Sequence, residues 1–119
     1  MHKNWPEITS GLSTAIRELR SGAPEPMRGF SALAHAALEP KALDGKTKEL
    51  IALAISVAIR CDGCVGFHAE AALQQGASRD ELMEAMGMAV YMGAGPSVMY
   101  AAQAVEAFDQ FAAKKKAAE

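Results

Sequence analysis

Aromatic side chains are scarce in this chain, with one Trp, two Tyr and four Phe among 119 residues. A core must therefore be assembled from Ala, Leu, Ile, Val and Met, and the abundance of Ala, roughly a fifth of the chain, biases it toward helix because Ala has the lowest helical cost. Alternating runs of β-branched and aromatic residues are missing, which excludes a sheet-based fold. Long hydrophobic runs are missing too. The most apolar stretch, Leu50 to Ile59, is bounded by Lys48, Glu49 and Arg60 and falls short of the ~18–20 residues a membrane span requires. Met1 to Pro6 lacks the apolar region of a secretory signal. Net charge is low as well, −2 with a pI near 5.9, so nothing draws the chain toward nucleic acid or an anionic membrane. The one basic run, Lys114-Lys115-Lys116, suits a solvated helix C-terminus. A soluble, cytoplasmic protein is expected. In that reducing compartment an isolated pair of cysteines reads as redox-active or metal-binding rather than as a structural staple.

Period and punctuation divide the chain into about six helical segments. The first runs from about Ile8 to Leu19, with Leu12, Ala15, Ile16 and Leu19 on one stripe, and stops at Ser21-Gly22. Pro24 and Pro26 open a second segment, with Phe30, Leu33, Ala34, Ala37 and Leu38 as its apolar face and Pro40 just beyond it. After the Asp44-Gly45 turn, a third starts near Thr47 and continues to Ile59. It is apolar around nearly its whole circumference, which suits a central helix or one in a subunit interface. Asp62-Gly63 breaks it, and a fourth helix carries Cys64, His68, Ala71, Ala72 and Leu73 as far as Gly76. Ser78 and Glu81 form a capping box for a fifth helix ending near Tyr91, and Pro96 opens a sixth from about Ser97 to Lys114. No repeat, linker or domain boundary is evident.

The chemistry concentrates in Cys61-Asp62-Gly63-Cys64-Val65-Gly66-Phe67-His68. Two thiols separated by two residues can close into a disulfide, and a helix beginning near them places His68 one turn beyond Cys64 on the same face. A helix N-terminus and a neighbouring imidazole each favour the thiolate. Asp62 opposes it by adding negative charge next door. Zinc is the competing use of such ligands, but a structural site needs four, and His2 and His35 stand alone in the sequence. Buried, inert thiols are the plainer alternative. Met83, Met86, Met88, Met92 and Met99 suit core or interface filling better than ligand binding. Tyr91 and Tyr100 fit a pocket or an interface equally well. Glu49 is the candidate partner for His68, although its position at the start of an apolar run suggests the surface. An ideal hairpin adds a difficulty, leaving Glu49 ~16–18 Å before the turn and His68 only ~10 Å after it.

Lys48-Glu49-Leu50, the eleven-residue interval to Cys61, Cys61-x-x-Cys64-x-x-x-His68, Gly76-Ala77 and Gly95-Pro96 together resemble the alkylhydroperoxidase D-like, carboxymuconolactone decarboxylase superfamily. The similarity extends from about residue 25 to 110, and the combined pattern is far more specific than its parts. It implies an all-α fold of about six helices, with residues 1–119 as a single alkylhydroperoxidase D-like domain. It also implies a homo-oligomer, trimeric among larger members and often hexameric among short ones; the apolar third, fifth and sixth segments point the same way. The implied activity is a thiol-dependent peroxidase, free of cofactor and metal, acting on a hydroperoxide and regenerated by an external dithiol. Cys64 would be the peroxidatic thiol, Cys61 the resolving thiol, and Glu49 with His68 the proton relay. A second histidine that precedes the second cysteine in the fuller relay is here Gly63. Two other readings are a redox-sensing or electron-relay module, and the decarboxylase chemistry of members that generally lack the cysteine pair.

Overall fold

Local signals at the helix ends account for most of the architecture, a computed structural model that describes residues 2–119. Five helices follow in order: α1 (Trp5–Gly22), α2 (Pro24–Leu38), α3 (Gly45–Ala58), α4 (Asp62–Gln74) and α5 (Arg79–Ala118). Among the described residues there is no strand, as an all-α fold requires. α1 begins earlier than the apolar stripe alone indicates, because Asn4 caps it by accepting the Glu7 N–H at 3.1 Å and Pro6 sits in its first turn. Asp44 caps α3 through the Thr47 N–H at 2.7 Å. Ser78 and Glu81 make the expected reciprocal capping box at the start of α5.

The number of helices differs from the six expected. The segments on either side of Gly93 to Pro96 run on as one element, and the break expected there is confined to a sharp kink at Ala94 (φ 55°, ψ −143°), the one residue that leaves helical geometry. Pro96 cannot donate to the carbonyl four residues earlier and its ring would strike it, so the chain bends there. A single non-helical residue absorbs that conflict, after which the hydrogen-bond ladder resumes.

α3, α4 and α5 pack together around Leu53, Val57, Val65, Leu82, Phe108 and Phe111. α1 lies across α4 and α5 and contributes Trp5, which is fully buried. Burial of each such large side chain stabilises the fold by roughly 1.5–3 kcal/mol. Close approach of α1 to α4 depends on Gly66, where a Cβ would stand 2.7 Å from Thr9 Cγ2 and 3.4 Å from the Trp5 ring. α2 contributes no buried residue; it packs mainly on α1 and is tied to α3 by Lys48, whose ammonium donates to the carbonyls of Ala37 (2.9 Å) and Glu39 (2.7 Å). α3 is not wholly enclosed. Glu49, Leu53, Ser56 and Val57 face inward, whereas Ile51, Ile55 and Ile59 are open. No helix among the described residues is long and apolar enough to cross a membrane.

Candidate functional site

The site is built where α3 hands over to α4. α3 ends in a Schellman motif: Cys61 N–H donates to the Ser56 carbonyl at 3.1 Å and Arg60 N–H to that of Val57 at 3.2 Å. Arg60 takes the left-handed conformation this requires, φ 59°. The reversal carries Cys61 back beside Ser56, into the N-cap position of α4, where its Sγ accepts the Cys64 N–H at 3.2 Å. Cys64 occupies the first turn of α4, and the two sulfur atoms are within bonding distance, with the Cα atoms 5.2 Å apart. Both sulfurs therefore lie at the positive end of the α4 dipole.

The same reversal removes the hairpin difficulty. Ser56 is seven residues after Glu49, and His68 is seven residues after Cys61. Starting level at the Ser56–Cys61 hydrogen bond, the two arms rise nearly two turns each, ~10.5 Å. Glu49 and His68 consequently meet, with His68 Nδ1 2.7 Å from Glu49 Oε1. A carboxylate only accepts, so His68 Nδ1–H donates to Glu49, and in the neutral ring the lone pair is then on Nε2. That is the form of imidazole able to take a proton from another group.

Glu49 is buried, at 7% exposure, contrary to the surface position that its place at the start of the run suggests. It shares one inner stripe with Leu53, Ser56 and Val57, at the helical intervals that bring side chains to a single face. That stripe was present in the sequence, hidden by the apolar residues on the other faces of α3.

Asp62, beside Cys61, is not the free negative charge that the sequence suggests. Its Oδ2 is paired with the Lys3 ammonium at 2.5 Å and its Oδ1 accepts from Tyr100 OH at 2.9 Å. Contact with Lys3 is the main reason that its carboxyl is held below the ordinary range; desolvation opposes this and the Tyr100 hydroxyl adds to it. Tyr100 in turn is shifted upward, chiefly by the bond to Asp62. Tyr91, by contrast, is 78% exposed and far from any such role. Neither Lys3 nor the choice of Tyr100 over Tyr91 was evident from local sequence, because both contacts come from distant parts of the chain.

Gly63, where the fuller relay has a second histidine, faces α1. A Cβ there would lie 2.8 Å from Leu12 Cδ1, so Leu12 covers that direction. His35 is exposed on α2 and His2 lies at the other end of the cluster around Glu106. Among the described residues, no group of three or more His, Cys, Asp or Glu side chains is arranged to hold a metal ion.

Comparison with known proteins gives one consistent result. Residues 24–107 match the model of the carboxymuconolactone decarboxylase family. An uncharacterised protein of Haemophilus influenzae is 40% identical over 108 residues, covering 91% of this chain and 96% of its own. The crystal structure of a carboxymuconolactone decarboxylase family protein from Legionella pneumophila superposes with a TM-score of 0.88 at 53% identity, over 90% of this chain and 96% of that one. A Thermotoga maritima member, for which an antioxidative role has been suggested, gives a TM-score of 0.84 at 30% identity, over 93% and 95% of the two chains.

Proposed function

The chain belongs to the carboxymuconolactone decarboxylase family, and from that premise we propose that it is a thiol-dependent peroxidase working through Cys61, Cys64, His68 and Glu49. The observation that carries this reading is the 2.7 Å contact between His68 Nδ1 and the buried Glu49 carboxylate, with His68 one helical turn beyond Cys64 of a cysteine pair at a helix N-terminus. A buried carboxylate that fixes the tautomer of an imidazole is the arrangement that makes a general base.

In the reduced protein, His68 Nε2 takes the Cys64 proton. The thiolate attacks one oxygen of the hydroperoxide, the O–O bond breaks, and the departing alkoxide takes the proton to leave as an alcohol. Cys64 becomes a sulfenic acid. Cys61 then attacks the Cys64 sulfur, forming the disulfide and releasing water. An external dithiol returns both cysteines to thiols and is itself oxidised to a disulfide. Each cycle consumes one hydroperoxide and one dithiol and yields one alcohol, one water and one disulfide. During reduction, Cys61 leaves from the N-cap position, where the Cys64 N–H already points at its sulfur.

Purified protein supplied with a dithiol and a hydroperoxide should consume both. Cys64→Ser should abolish consumption, and Glu49→Gln should slow the oxidation step by roughly 10–100-fold, a loss typical of disturbed general-base catalysis. Unchanged turnover in Cys64→Ser overturns the assignment. Rapid disulfide exchange with no peroxide consumption by the unaltered protein replaces it with an electron-relay role.

The partner of the open apolar faces is, in this proposal, a second copy of the chain. α2 has no fully buried residue within its own subunit, Phe30 and Leu33 are 61% and 66% exposed, and Ile51, Ile55, Met88 and Met92 add a second apolar surface on α3 and α5.

A further inference from the structure

The segment preceding α1 reaches the cysteine pair from outside the family-matched residues 24–107. It is fastened to α5 by several bonds. Glu106 accepts the backbone N–H groups of His2 (2.6 Å) and Lys3 (2.9 Å) and the Trp5 indole N–H (2.9 Å). Gln110 accepts from Trp5 N–H at 2.8 Å and donates to the Lys3 carbonyl at 2.6 Å. The backbone of Lys3 is thus held at both its N–H and its C=O. Its side chain extends to Asp62, with the ammonium 5.5 Å from the Trp5 ring centre and 5.8 Å from that of Tyr100. Two aromatic faces and a carboxylate leave this cation 29% exposed and orient it on the residue between Cys61 and Gly63.

We propose that Lys3 is a positioning residue for the cysteine pair: acting through Asp62 and assisted by Tyr100, it cancels the negative charge that would otherwise oppose thiolate formation at the N-terminus of α4. The inference rests on the thiol-based reading of the site. An anion in the first turn competes with a thiolate for the same helix-end potential and repels it directly. Once Asp62 is paired with a cation and a hydroxyl donor, that repulsion falls while its carboxylate remains in place. The other groups bearing on Asp62 and its partners are His2 from the same segment, Arg60 from the turn before α4 and Glu106 from α5. His68 lies on α4 itself, with Glu49 paired to it.

The test is alkylation of the fully reduced protein by iodoacetamide across pH, with peptide mapping to assign each cysteine. Lys3→Met keeps both backbone contacts of residue 3 and removes only the charge. It should raise the apparent pKa of the more reactive cysteine, and so slow alkylation near neutral pH by roughly threefold to tenfold, tenfold corresponding to one pKa unit. Lys3→Arg should stay close to the unaltered protein, and Tyr100→Phe should shift the profile in the same direction as Lys3→Met by less. In an Asp62→Asn background, Lys3→Met should have almost no effect. Coinciding profiles for the unaltered protein and Lys3→Met overturn the proposal; so does a Lys3→Met shift that persists in the Asp62→Asn background. Alkylation needs no peroxide, so a protein that fails to turn over hydroperoxide still decides this point. Equal melting temperatures for Lys3→Arg and Lys3→Met separate the charge effect from a loosened N-terminal segment, and a shift seen only with unfolding counts against it.

Discussion

Glu106 holds three donors of the N-terminal segment with one carboxylate. Desolvation works against its ionisation, but the His2 and Lys3 N–H groups and the Trp5 indole outweigh it, and the pKa lies below the ordinary 4.5. A carboxyl depressed in the folded state contributes stability above its unfolded pKa, and that contribution is lost as pH falls through the lower, folded value. Glu106→Gln should therefore lower stability at pH 7 by about 1 kcal/mol, the difference in scale between hydrogen bonds to a charged and to a neutral acceptor. The difference between the two proteins in denaturant unfolding should shrink as pH falls below the ordinary 4.5 and vanish once pH lies under the depressed folded value. The cysteines and His68 were legible in the sequence because their spacing falls within one turn of a helix start, whereas spacing alone put Glu49 on the surface and out of reach of His68, and only the family resemblance paired the two. Lys3 and Tyr100 were not, since they reach Asp62 across 59 and 38 residues and no periodicity links them to it.

Helices were legible wherever apolar stripes and end signals agree. α2 lies between the expected Pro24 and Leu38, and the capping box at Ser78 starts α5 as expected. The helix count was not legible, because a Gly-Ala-Gly-Pro run looks like a full break and only the folded chain shows that one residue suffices. Comparing the ends of α3 and α4 yields a prediction. Both close with the same pair of reversed hydrogen bonds, Cys61 to Ser56 with Arg60 to Val57, and Ala77 to Ala72 with Gly76 to Leu73. The left-handed residue is Gly76 in one (φ 87°) and Arg60 in the other (φ 59°). Only glycine adopts that conformation without a Cβ penalty, so Gly76→Ala should destabilise by about 1–2 kcal/mol and Arg60→Gly should stabilise by up to ~1 kcal/mol. Thermal melts of the two variants should move in opposite directions.

Across the whole molecule, the radius of gyration is 14.5 Å, against ~13.5 Å for a compact domain of this length. The excess fits a helix, α2, that extends its apolar face without covering it. Light scattering at micromolar concentration should give a mass several times the 12.5 kDa of the chain, and Ile55→Glu should lower it; a stable monomer would refute assembly through these faces. The equal arms between Glu49 and Ser56 and between Cys61 and His68 have a consequence for how such a chain can diverge. One codon inserted into or deleted from either arm would displace its far end by ~1.5 Å and turn it by about 100°, separating carboxylate from imidazole even if every side chain were retained. Replacement can proceed residue by residue along this stretch, whereas a one-residue change of length is not rescued by the same change in the other arm, which would only turn the second side chain off the shared face as well, so insertions and deletions in relatives should fall outside it.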